Sequence, residues 1–150
     1  MTADKATPSE RKLWLRRTYK APIHRVFQAW IDGADLARWY TPNADWPAHV
    51  SDLDVRIHGG FLAQFGAPGE EPWVERVQYL DIAPPHRLVM QGLMTHAGAF
   101  VTLTRYTVDL ADLGDATELT LVETGGKPGE IDDRAGGWGG TLDNLGRLLG

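Results

Sequence analysis

Only one segment of this chain is patterned as a long amphipathic helix, and it comes last. Trp138, Leu142, Leu145 and Leu149 recur at i, i+4, i+7 and i+11, a single apolar stripe over about 130–149. Four glycines surround Trp138, which predicts a late helix start or a close approach to a neighbouring layer. Ahead of this helix stand segments near 48–56, 60–66, 72–82, 86–94, 100–110 and 117–124 that read as short strands. The stretches GAPGEEP, Pro84-Pro85, THAG and ADLGDA separate most of them, and Gly59-Gly60 marks a hairpin or bulge. An earlier strand places Leu13, Leu15, Arg17 and Tyr19 on one face, against Lys12, Trp14, Arg16 and Thr18 on the other. Pro22 opens a short helix over 22–31, Asp32-Gly33 breaks it, and 34–40 makes a second. The order is one strand, two short helices, six strands and a long helix. Consecutive strands with short turns predict an antiparallel α+β meander, not alternating βαβ units.

Such a sheet has one apolar face and one long helix to cover it. A strongly curved sheet does not touch a straight helix along its whole length, so a pocket is expected in the gap. Residues 1–10 read as a disordered tail and 11–150 as one domain.

Composition removes several functions. The chain has no cysteine, which excludes disulfides, thiolate catalysis and cysteine-based metal sites. A net charge of −5 and the absence of a Lys/Arg cluster argue against nucleic acid; Arg11, Lys12, Arg16 and Arg17 flank an alternating strand. No apolar run approaches the roughly 20 residues of a membrane span, and the polar N-terminus is not a secretory signal. A cytoplasmic location is expected. His24, His49, His58, His86 and His96 show no metal-ligand spacing, and Ser9 and Ser51 lie in no nucleophile context, so neither a metal nor another cofactor is expected.

Six tryptophans in 150 residues are many, and ordinary packing absorbs most of them. Trp39, Tyr40 and Trp46 flank a loop beside the short helices and are the expected pocket mouth. Strand parity groups Phe61 with Phe65, Met90 with Met94, and Phe100 with Tyr106 as lining residues. Val101 and Leu103 are apolar on the opposite side. Trp138 and Leu142 face them from the helix. Glu123, in phase with Leu119 and Leu121, is either at a wet strand end or a polar anchor in the pocket. Asp54 and Arg56 share a face and are placed to pair.

The stretches RRTYKAPIHRVFQAWIDGADLARWY, DVRIHGGFLAQF, VQYLDIAPPHRLVM, ATELTLVET and GGWGGTLDNLGRLL, in that order, resemble the START-like or SRPBCC superfamily. Within it they are similar to homologues of the activator of heat-shock protein 90 ATPase. The resemblance runs from about Leu13 to Leu149. It implies a helix-grip fold, a curved sheet of six to seven strands around the C-terminal helix. Relatives often carry Gly near Val77, where a β-branched side chain narrows the space. The resemblance implies a small lipophilic or aromatic ligand held between sheet and helix. It also implies two other activities: a co-chaperone contact with a heat-shock protein 90, or a cyclase or hydrolase in the same cavity with Glu123 or a His as base. Family members occur as monomers and homodimers.

Overall fold

A computed structural model describes the backbone of residues 12–125 and 130–150, and the side chains of 13–125 and 137–150. The elements follow the expected order: β1 (Lys12–Tyr19), α1 (Ile23–Gln28), α2 (Gly33–Trp39), β2 (Ala48–Asp54), β3 (Gly60–Phe65), β4 (Trp73–Ala83), β5 (Arg87–His96), β6 (Ala99–Asp112), β7 (Thr117–Gly125) and α3 (Glu130–Leu149). The expected tail lies outside the described residues.

All seven strands form one antiparallel sheet, in the order β1-β7-β6-β5-β4-β3-β2. Every pair except β1–β7 is a hairpin between sequence neighbours. The first strand joins the last, Lys12 opposite Thr124 through Tyr19 opposite Thr117. Register shifts fall between Ser51 and Asp54, Tyr79 and Asp81, and Met94 and Thr95. Bulges of this kind bend a strand and increase its twist, which helps curve the sheet. Asp54 and Arg56 do pair, at 2.7 Å on the exposed end of the β2–β3 hairpin.

The inner face carries the period-two pattern into the core: Phe61, Ala63 and Phe65 on β3, Val77 and Tyr79 on β4, Leu88 and Met90 on β5, Leu119 and Leu121 on β7. From α3, Trp138, Leu142 and Leu145 meet it, all buried. Helices α1 and α2 add Val26, Phe27, Leu36 and Trp39.

Buried polar tips tie the layers together. Tyr19 Oη donates to the Leu142 carbonyl at 2.8 Å, joining β1 to α3. Tyr79 Oη donates to the Trp30 carbonyl at 2.9 Å, and Trp39 Nε1 to that of Ala29 at 2.9 Å, so sheet and α2 both reach the end of α1. Asn144 Nδ2 donates to the Thr41 carbonyl at 2.7 Å, holding the loop after α2 on α3. Each bond satisfies a group that would be costly to bury alone. Asp32 caps α2 by accepting from the Asp35 N–H at 3.0 Å.

Candidate functional site

Between the inner face of the sheet and α3 lies a cavity of about 120 Å³. Phe65, Glu75 and Met94 come from the sheet, Tyr40, Thr41 and Pro42 from the loop after α2, and Gly137, Trp138 and Thr141 from α3. Pro42, Met94 and Gly137 are half-buried and mark its mouth, while the other lining residues are buried. The loop comes close because Gly140 has no Cβ: one there would sit 2.1 Å from the Pro42 carbonyl oxygen.

Trp138 is the hub of an aromatic wall. Its ring centroid lies 5.1 Å from Tyr106, 6.1 Å from Tyr40 and 6.3 Å from Trp30. Phe61 packs edge-on against Tyr40 at 5.3 Å, and Trp39 at 5.4 Å. Edge-to-face contacts of this kind are favourable beyond the area they bury.

Into this wall the chain sets a polar relay. Tyr40 Oη donates to Glu75 Oε1 at 2.6 Å. Tyr40 and Tyr106 hydroxyls are 2.7 Å apart. With the Tyr40 proton directed at Glu75, Tyr106 is the donor to Tyr40. Behind them Trp138 Nε1 donates to Glu123 Oε2 at 2.9 Å. Glu75 fits because the neighbouring strand carries a glycine diagonally across from it: a Cβ on Gly92 would lie 2.4 Å from Glu75 Oε2. Burial holds the Tyr40 and Tyr106 hydroxyls far above the usual tyrosine range, and the Glu75 carboxyl adds to both. They are hydrogen-bond donors, not phenolates, at any ordinary pH. Thr102 Oγ1, on β6 opposite Met94, is buried without a hydrogen-bond partner among the described residues.

Of the residues expected from sequence, Tyr40, Phe65, Met94 and Trp138 line the cavity. Tyr106 and Phe61 stand behind its wall, Tyr106 through the relay and Phe61 through its ring contact. Glu123 is buried, as the polar-anchor alternative had it, but its described contact is the Trp138 indole, not the cavity. The others are placed differently. Trp39 is not at a mouth: it is fully buried in the core with its N–H committed to Ala29. Met90 and Leu142 are fully buried packing residues. Trp46 lines a separate groove beside α2 and the end of α3. Phe100 does not keep the expected parity: the register shift between β5 and β6 sets it opposite Thr95 while Thr102 stands opposite Met94, and it is 62% exposed. Val77 fills the inner face between Phe61 and Gly92 without reaching the cavity. Sequence reading missed Glu75, although it is in phase with the apolar Val77 and Tyr79. A larger concavity, of about 580 Å³, lies on the outer face, where polar side chains such as Asp52, His58, Arg76 and Gln91 alternate with apolar ones such as Leu93 and Leu103.

Residues 20–150 match the family model described as activator of Hsp90 ATPase homolog 1-like protein. No curated protein matches the chain. Among solved structures, protein Mll3558 from Rhizobium loti is 30% identical, covering 92% of this chain and 96% of its own, with a TM-score of 0.79. Protein CV1439 from Chromobacterium violaceum is 26% identical, again covering 92% and 96%, with a TM-score of 0.82. A protein from Arthrobacter aurescens is 19% identical over 97% of this chain and 89% of its own, and its TM-score of 0.84 shows the shared fold.

Two predictions follow from the buried polar groups. All four tyrosines are held above their usual range, mainly by burial. An unfolded tyrosine ionises near pH 10. The folded chain therefore keeps protons that the unfolded chain releases. Stability from this source is complete below about pH 10 and falls as pH rises above it. Absorbance at 295 nm should rise only together with loss of near-ultraviolet circular dichroism; phenolates titrating near pH 10 in the folded protein would contradict this. The fit of Glu75 to Gly92 is tested by a double-mutant cycle in urea. Gly92→Ala should cost about 1–3 kcal/mol in the wild-type background and much less beside Glu75→Ala. Equal costs would show that the two do not meet.

Proposed function

The chain belongs to the activator of Hsp90 ATPase homolog 1-like family, and on that premise we propose that it binds a small lipophilic or aromatic molecule in the cavity between sheet and α3. The observation that carries this reading is the cavity itself, walled by Phe65, Met94 and Trp138 with Tyr40 and Glu75 as its polar groups. Apolar walls with a few convergent polar groups are the usual composition of small-molecule sites. A dry apolar cavity of about 150 Å³ accepts benzene, so about 120 Å³ suits one ring or a short branched alkyl group. Glu75 gives a ligand hydroxyl an acceptor.

A second reading is a co-chaperone contact, which the family's description carries. On its side is the outer face, where Leu93 and Leu103 are register partners and both exposed. Stimulation of the chaperone's ATP turnover, lost in Leu93→Asp/Leu103→Asp, tests it. For catalysis, Glu75 rather than Glu123 is the carboxyl group at the cavity, and the binding reading needs no turnover.

The binding reading is tested at Gly137. A Cβ there would meet nothing within 4 Å, so a side chain has room to enter the mouth of the cavity. Gly137→Leu should abolish saturable binding of phenol, indole and benzyl alcohol in calorimetric titration. Stability should be kept or gain up to about 1 kcal/mol, because a glycine leaves a helix. Unchanged affinity in a folded Gly137→Leu protein, or no binding of any small aromatic to the wild type, would overturn the reading. Native mass spectrometry of protein from its own source would identify a co-purifying ligand.

A further inference from the structure

Beside the cavity, on the other side of Thr41, lies a groove of about 290 Å³. Thr41 lines both. Two guanidinium groups line the groove, Arg38 from the last turn of α2 and Arg147 from the last turn of α3, together with Trp46. No carboxylate lines it among the described residues. Neither arginine has an ion pair among the described residues, which is true also of Arg76 and Arg105 on the sheet.

The groove is built. Asn144 is buried, and its amide works in two directions: Nδ2 donates to the Thr41 carbonyl at 2.7 Å, and Oδ1 accepts from Arg147. One buried side chain thus fixes the ridge between the two concavities and holds a guanidinium beside it. A cation in the last turn of a helix is favoured by the helix carbonyls. That accounts for one arginine at each helix end. It does not account for the two lining a single concavity that is free of acidic groups in a chain of net charge −5.

The cavity alone is smaller than the roughly 300–1,000 Å³ of most small-molecule sites, so a ligand of ordinary size extends beyond it.

We propose that the ligand is an amphipathic carboxylate, whose apolar end enters the cavity and whose carboxylate crosses Thr41 to Arg38 and Arg147. The proposal rests on the binding reading above and adds the charge and orientation of the ligand. The cavity wall offers apolar surface and the groove offers two guanidinium groups, so the two ends of such a ligand are not interchangeable. The guanidinium fork matches a planar carboxylate.

The test uses phenylacetate, 3-phenylpropanoate, 4-phenylbutanoate and 5-phenylpentanoate, each beside its matched alcohol, titrated at low salt. At one or more chain lengths the acid should bind about tenfold tighter than the alcohol, as charge-assisted hydrogen bonds give. The advantage should shrink with added salt. Arg38→Gln/Arg147→Gln should remove it, so that acid and alcohol bind alike. Acids no tighter than alcohols at every length, or an advantage that survives the double variant, would overturn the proposal and leave the binding reading standing. If neither acids nor alcohols bind at any length, the binding reading falls, and this proposal with it.

Discussion

Trp138, Leu142 and Leu145 bring α3 onto the inner face of the sheet, and the rest of the molecule is arranged around that contact. The sheet has an apolar side to cover, and α3 is the only long helix among the described residues. Pairing β1 with β7 widens the sheet on the side where Tyr19 reaches the Leu142 carbonyl. Helices α1 and α2 fill the remaining space, tied to the sheet and to each other through Tyr79 and Trp39. Burial drives this arrangement, and the hydrogen-bonded aromatic tips fix its geometry.

The cavity is what that packing leaves where straight helix and curved sheet diverge. Its wall is as deliberate as the core. Gly140 lets the Thr41–Pro42 loop approach α3, and Gly92 makes room for the Glu75 carboxyl group. Tyr106 and Tyr40 extend that group into a relay in which both hydroxyls keep their protons. A buried network of this kind is favourable only when its members are paired. Glu75 therefore belongs to the structure of the wall and to its chemistry at once.

The fold was legible in the sequence almost element by element, because it rests on two periodicities and on turn residues. The stripe from Trp138 to Leu149 and the alternation from Phe61 to Phe65 are local signals. Strand parity also placed Phe65 and Met94 on the correct face. It was silent on the register shift between Met94 and Thr95, which takes Phe100 out of phase, so Phe100 lies in solvent while Thr102, two residues on, is buried. Trp39 and Trp46 were read from their nearness to a loop, but a helix of seven residues turns the first into the core and leaves the second on another groove. Glu75 was recoverable, since a carboxyl in phase with Val77 and Tyr79 faces inward. Its pairing with Tyr40, 35 residues away, and the space left by Gly92 are tertiary facts with no local signature.

The most direct measurement follows the methionine methyl groups by carbon-13 NMR during titration with 4-phenyl-1-butanol. Met94 lines the cavity, and Met90, four residues earlier on the same face of β5, is fully buried away from it. A ligand ring in the cavity should move the Met94 methyl resonance saturably and leave Met90 nearly unmoved. If Met94 does not respond, or if both methyls shift together without saturation, the cavity is not a binding site.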